Sequence, residues 1–342
     1  MRKRRLRGER RRAGKLFLLS MIAALAATAC STGGGGDAAG RLQVATTVSP
    51  ITNLIQNVGG DRIEVTGIVP EGTNSHTFEP APSDAKVLAE ADVVFVNGLH
   101  LEEPTRELAE ANVRRGVPIV QLGERTITPA EYIYDFSFPR EQGDPNPHLW
   151  TNPPYAKRYA EIIRDELSRL DADNAPYYRG NYDKLADRID RLDGLVRQVT
   201  ETVPAQNRKL LTYHDSFPYF AREYGWEVIG AIQPSDFSDP TPADVAGLID
   251  QIRAQRVPAI FGSEVFPSPV LQQIASETGA RYIDELRDDD LPGENGDPDH
   301  SYFGLMVFDF RTFMGALGGD IQPFQGFDTS NIAGDRTAHY RY

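Results

Sequence analysis

Residues 174–203 carry the most regular helical pattern of apolar side chains in the chain. The apolar residues recur at steps of three and four, which places them on one stripe of a helix: Tyr182, Leu185, Ile189, Leu192, Val196 and Val199. Asp173 or Asn174 can cap its start, and Pro204 cannot continue it. At 1.5 Å per residue, such a helix is about 45 Å long and can run along a whole small domain. Periodicity alone fits an ordinary surface helix or a coiled-coil arm as well as it fits a helix that runs along a domain.

The segments on either side of this helix constrain the fold further, because both alternate strand-like and helix-like patterns. The expected strands are 42–48, 63–69, 93–97 and 119–122 in the first half (42–173), and 209–213, 227–232, 259–262 and 282–283 in the second (204–321). Such alternation predicts βα units on mostly parallel sheets. We therefore expect an α/β fold of two lobes joined by one long helix. The C-terminal tail, 322–342, is weakly patterned, and we expect it to be loosely ordered.

The first 29 residues are typical of a signal peptide and are kept out of the fold. A strongly basic start is followed by an apolar run, 16–29, that is too short to span a bilayer comfortably. Small residues then lead directly into Cys30, which resembles a bacterial lipobox in which the thiol is lipidated. Residues 30–41 would comprise the lipidated cysteine and a flexible Gly-rich tether. We expect an extracytoplasmic, lipid-anchored protein; an ordinary secretory signal with an incidental cysteine is the alternative.

Composition limits the partners of the mature chain. Cys30 is the only cysteine, so no disulfide can stabilise the fold. The formal net charge of the whole chain is −13, and removal of the basic signal peptide makes it more negative. This acidity argues against nucleic acid as a partner and is compatible with attraction of cations.

Three of the six histidines lie in loops between expected strands and helices. His76 lies after the second expected strand, His148 in a proline-rich loop leading into a helix, and His214 directly after strand 209–213. Loops at the carboxyl ends of parallel strands face one crevice, so the three imidazoles can converge from opposite lobes. A single such histidine is more often structural, and the nonlocal spacing is weak evidence by itself. Three together favour a metal site.

Three segments that contain these histidines, together with the long helix between the second and third, point to a known family. The segments are VPEGTNSHTFEPAPSD, NPHLWTNP and LLTYHDSFPYFAREYGW. The chain resembles the metal-binding solute receptors of bacterial zinc and manganese ABC importers over about residues 42–320. The resemblance implies a receptor that captures a divalent cation between its lobes and delivers it to the importer's membrane permease.

The resemblance also implies four metal ligands. Three are imidazoles in the matching family motifs: His76, His148 and His214. The fourth is a carboxylate that maps to Asp289, with the neighbouring Asp288 and Asp290 as competitors. Glu264, which follows an expected strand, is a candidate for orienting a ligand histidine.

Three imidazoles and one carboxylate suit a borderline-soft, tetrahedral ion, so we expect Zn²⁺. Mn²⁺ is the alternative, although Mn²⁺ prefers oxygen ligands and manganese-type members of the family tend to carry glutamate where His214 stands. Many zinc-type members have a His-rich loop ahead of the second ligand. Residues 123–147 contain no histidine and are typical of an acidic and aromatic surface loop.

A secreted zinc-dependent hydrolase is the main rival interpretation. Hydrolytic zinc needs an open coordination position, and four protein ligands leave none. The chain has no HExxH or nucleophile-elbow motif. A surface adhesin is a third interpretation, and no residue pattern supports it. We expect a monomeric binding protein, not an enzyme.

Overall fold

A computed structural model describes residues 40–265, 269–333 and 338–341. The expected signal peptide and Cys30 lie outside the described residues. Within the described ranges, no helix combines the length and apolar character needed to cross a membrane.

The secondary structure alternates as the sequence pattern predicts. The strands are β1 (Leu42–Thr46), β2 (Ile63–Gly67), β3 (Val93–Val96), β4 (Ile119–Gln121), β5 (Lys209–Thr212), β6 (Glu227–Ala231), β7 (Ala259–Phe261), β8 (Arg281–Ile283) and β9 (Ala338–His339). The α-helices are α1 (Ser49–Gly59), α2 (Asp84–Glu90), α3 (Glu103–Asn112), α4 (Leu122–Thr126), α5 (Pro153–Leu170), α6 (Ala175–Thr202), α7 (Pro218–Tyr224), α8 (Pro242–Gln255), α9 (Pro269–Thr278) and α10 (Tyr302–Ala316).

The strands form two sheets, one in each lobe. The N-terminal sheet has the order β4-β3-β1-β2-β9, and the C-terminal sheet has the order β6-β5-β7-β8. All recorded pairings are parallel. Helices cover parallel strands, which is why the central strands are continuous apolar runs such as the fully buried β3. The predicted α/β class with two mostly parallel lobes is confirmed.

Helix α6 is the predicted long helix, and its bounds agree with the sequence pattern to one residue at each end. Five of the six residues of its apolar stripe are fully buried, with 0% exposure at Leu185, Ile189, Leu192, Val196 and Val199, and Tyr182 is partly exposed. The helix packs against α1 and α5 of the first lobe and against α7 and α10 of the second. Asn181 Nδ2 donates to Val58 O at 3.1 Å, and Trp226 Nε1 donates to Thr200 Oγ1 at 3.1 Å. Thus α6 is bonded to both lobes.

The C-terminal tail differs from the expectation of loose order. Its described residues return to the N-terminal lobe, where Ala338 pairs with Val65 in register. Tyr340 is buried, and its hydroxyl accepts a hydrogen bond from Asn53 Nδ2 at 2.9 Å. Phe324 is also buried. The expectation was wrong because the open edge of β2 supplies backbone hydrogen bonds that local patterning does not reveal.

Helix α10 was not identified from the sequence. Its side chains are apolar on nearly all sides, so they show no amphipathic period. Ser301 caps its start by accepting a hydrogen bond from Gly304 N at 2.9 Å. The helix lies in the main core and contacts both α1 and α6.

Candidate metal centre

Three imidazoles meet at one point where the two lobes face each other. The Nε2 atoms of His76 and His148 are 3.3 Å apart, and His214 Nε2 lies 3.1 Å from His76 Nε2 and 3.3 Å from His148 Nε2. His148 and His214 are buried, whereas His76 is partly exposed. The expected convergence of histidines from separate lobes is therefore present, and this group can hold a metal ion.

The loop that carries each histidine sets the position of its ring. His76 lies in the loop that follows β2, and its backbone N–H donates to Asn74 Oδ1 at 2.9 Å. His214 lies two residues after the end of β5. His148 ends the long loop before α5, where its backbone N–H donates to Asn146 Oδ1 at 3.0 Å. Because both sheets are parallel, their loops reach the same crevice.

Amide side chains set the orientation of two of the rings. His148 Nδ1 lies 2.9 Å from Asn146 Oδ1, and His214 Nδ1 lies 3.1 Å from Gln233 Oε1. The Asn146 amide cannot flip without loss, because its Nδ2 donates to Asp135 Oδ2 and to the carbonyl of Asp215. An amide oxygen only accepts, so Nδ1 carries the proton in both rings. Nε2 is left as a free lone pair that faces the other imidazoles.

Burial favours the neutral form of all three rings. Desolvation lowers the pKa of His76 and of His148, and repulsion from His214 lowers both further. Desolvation also lowers the pKa of His214, with partial opposition from the Asp288 carboxylate. Neutral imidazole is the form that binds a metal ion.

Of the three consecutive aspartates, Asp288 lies nearest to the imidazoles. Its Oδ2 is 3.9 Å from both His148 Nε2 and His214 Nε2, and it accepts a hydrogen bond from Ser216 Oγ. Asp289, the residue expected from the resemblance, accepts through Oδ2 from Ser75 N at 3.3 Å, and its buried Oδ1 has no hydrogen-bond partner among the described residues. Asp290 accepts from Gly72 N at 2.7 Å. Consecutive residues in an irregular segment point in different directions, so the sequence could not separate them.

Glu264 organises the aspartate segment. Its Oε1 accepts from the backbone N–H groups of Asp288, Asp289 and Asp290 at 2.8, 3.3 and 3.4 Å. The sequence suggested that Glu264 orients a histidine. In the structure, its carboxylate accepts hydrogen bonds from these three backbone N–H groups instead. Burial raises the pKa of Glu264 well above its ordinary value, and repulsion from Asp288 raises it further.

Two phenylalanines pack beside the histidine triad, and neither was identified from the sequence. Phe138 is 7% exposed, with ring centroids 5.3, 5.8 and 5.9 Å from those of His76, His148 and His214. Phe237 stacks on His76 at 4.7 Å with an interplanar angle of 18°. The expectation that 123–147 is a surface loop is therefore wrong at Phe138. A single phenylalanine in an irregular loop gives no sequence signal of such packing.

Two parallel α/β lobes, a connecting helix and convergent neutral imidazoles define a metal-binding solute-binding protein. Residues 44–316 match the family described as ZnuA, zinc-uptake complex component A, periplasmic. The chain belongs to this family of ABC-importer binding proteins, as its sequence resemblance indicated, and the members of the family are not enzymes.

Similar proteins carry different metals in their names. The manganese-binding lipoprotein MntA of Halalkalibacterium halodurans is 28% identical, over 87% of this chain and 96% of its own. The iron-binding protein YfeA of Yersinia pestis is 30% identical, over 90% of this chain and 96% of its own. Among solved structures, the periplasmic zinc-binding protein TroA of Treponema pallidum superposes with a TM-score of 0.74 at 26% identity, covering 82% of this chain and 100% of TroA.

The contacts of Glu264 generate a prediction about metal binding. Glu264→Ala removes the acceptor of the Asp288 and Asp290 N–H groups, while Asp289 N–H keeps its bond to Asp288 Oδ1, so we expect the Asp288 segment to shift and affinity for a divalent metal ion to fall by about 10–100-fold. Glu264→Gln keeps an acceptor oxygen and should retain most of the affinity. Competition against a zinc chelator measures both variants. Equal affinity of the alanine variant and the wild type would contradict this role.

Proposed function

We propose that this protein captures one divalent cation at the histidine triad and delivers it to the permease of an ABC importer. Its ligands are three imidazoles and one carboxylate: His76, His148, His214 and Asp288. Two come from the first lobe and two from the second, so binding joins the lobes. The observation that carries the proposal is the spacing of the three Nε2 atoms, 3.1–3.3 Å.

This spacing fits a tetrahedral ion. Zinc–nitrogen bonds of about 2.0–2.1 Å place the ligand atoms of a regular tetrahedron about 3.3–3.4 Å apart. The imidazoles already have this separation. The Asp288 oxygen lies 3.9 Å from two of the nitrogens and farther from His76, so it must move toward the imidazoles, and most of all toward His76, to complete the tetrahedron.

We propose Zn²⁺ as the cargo, with Mn²⁺ as the alternative. Nitrogen from three neutral imidazoles and a single carboxylate suits zinc, whereas manganese prefers more oxygen ligands. The names of similar proteins include manganese, iron and zinc, so the donor set of this chain is the argument for zinc.

Calorimetric titration of metal-free protein tests both the function and the ion. We expect one equivalent of Zn²⁺ to bind and to resist displacement by Mn²⁺. His214→Ala removes a proposed ligand itself. It should therefore lower zinc affinity by more than about 100-fold, the largest loss typical of a residue that only orients a ligand. His100→Ala, in an exposed histidine paired with Glu103, is the matched control and should bind normally. Unchanged affinity in His214→Ala would contradict the proposal, and ready displacement by Mn²⁺ would favour the alternative ion.

A second pair of variants tests the carboxylate. Asp288→Asn removes the charged donor nearest to the imidazoles, so we expect zinc affinity to fall by at least about tenfold. Asp289→Asn leaves the Asp288 carboxylate in place and should change the affinity much less. Chelator competition measures both. The opposite ranking would restore Asp289, the ligand expected from the sequence.

We also propose that the receptor is a monomer held outside the cytoplasm by lipid on Cys30. The support is the lipobox-like sequence before Cys30, together with the lipoprotein names of similar proteins such as MntA. Cys30→Ser should therefore move the protein from the membrane fraction to the soluble fraction after cell fractionation. Retention in the membrane fraction would contradict the lipid anchor.

A further inference from the structure

Phe237 has an unusual backbone conformation beside the metal centre. Its φ of +59° lies in the left-handed region, which is unfavourable for a bulky side chain. The surrounding contacts hold it there: Phe237 N–H donates to Pro234 O at 3.0 Å, and Gln233 Nε2 donates to Phe237 O at 3.2 Å. A strained residue that is fixed in this way next to a binding site indicates a functional constraint.

The strained conformation places the Phe237 ring against a proposed ligand. The ring stacks on His76 at 4.7 Å and lies 5.9 Å from His214 and 6.1 Å from Phe138. His76 is the partly exposed member of the triad. Because the two rings stack face to face, Phe237 covers the face of the imidazole while the in-plane Nε2 lone pair stays free.

Gln233 links Phe237, which covers the His76 ring, to His214, a second proposed ligand. Its Oε1 lies 3.1 Å from His214 Nδ1, and its Nε2 donates to Phe237 O. One side chain therefore orients the His214 ring and holds the backbone of Phe237. A further bond, from Gln142 Nε2 to Ser235 Oγ at 2.9 Å, joins the loop that carries Phe138 to the loop that carries Phe237.

We propose that Phe237 is a positioning residue that retains the bound cation, acting through His76. This inference rests on the proposed function. The ring restricts rotation of His76 and excludes water from its exposed face, and both effects oppose stepwise replacement of the imidazole by water during release. Capture depends on diffusion into the crevice and on the same four ligands. Loss of the ring should therefore accelerate release far more than it alters association.

Stopped-flow release of Zn²⁺ into excess chelator tests this role. Phe237→Ala should release zinc about 10–100-fold faster than the wild type, with an association rate within about twofold. Phe237→Tyr keeps the ring and should restore slow release, and Phe237→Leu should be intermediate. Phe136→Ala is the matched control, since Phe136 lies on the same loop as Phe138 and is 52% exposed.

The absorption spectrum of bound Co²⁺ distinguishes loss of the Phe237 ring from a general loss of structure, because a general loss of structure would change the spectrum. The d–d spectrum of Phe237→Ala should match the wild type, because the ligand set is intact. The variant should fold, since Phe237 is only partly buried and its φ is less unfavourable for a smaller side chain. Wild-type release rates in Phe237→Ala and Phe237→Leu, or an altered cobalt spectrum, would overturn the inference while leaving the proposed function in place. A wild-type protein that bound no zinc would overturn both.

Discussion

The Nε2 atoms of three neutral imidazoles lie within 3.3 Å of one another. The arrangement of the surrounding side chains depends on this close approach. Protonation of more than one ring would place like positive charges side by side in a buried space, where charge is poorly solvated. Burial keeps the rings neutral, and the amide oxygens of Asn146 and Gln233 hold the remaining proton of two rings on Nδ1. The lone pairs are thereby directed inward, which leaves a cluster of electron donors suited to a cation.

Hydrogen bonds between the lobes lie directly beside this cluster. Three consecutive side chains of the first lobe donate to backbone carbonyls of the second: Trp150 to Asp288, Thr151 to Ser216 and Asn152 to Tyr219, at 2.9, 2.8 and 3.0 Å. The stripe of α6 is buried against helices of both lobes. A continuous helix and these bonds favour small displacements over wide opening of the crevice, in keeping with ligands that are already near tetrahedral spacing.

Burial opposes ionisation of the aspartate segment beside the imidazoles. Burial raises the pKa of Asp289 well above its ordinary value and that of Asp290 to about 6, and neighbouring carboxylates add to both shifts. Backbone N–H groups of Ser75 and Gly72 offset part of this cost. These two residues precede His76 in the same loop, so the same contacts tie the first ligand loop to the segment that carries Asp288.

The sequence by itself determined the α/β class, the long helix and the three histidines, because side-chain periodicity and strand–loop order are local properties of the chain. Tertiary structure decided which aspartate approaches the imidazoles, where Glu264 acts and how Phe138 and Phe237 pack. It also decided the pairing of β9 with β2. These features depend on contacts between segments far apart in the chain, and an irregular loop has no period from which the direction of a side chain can be read.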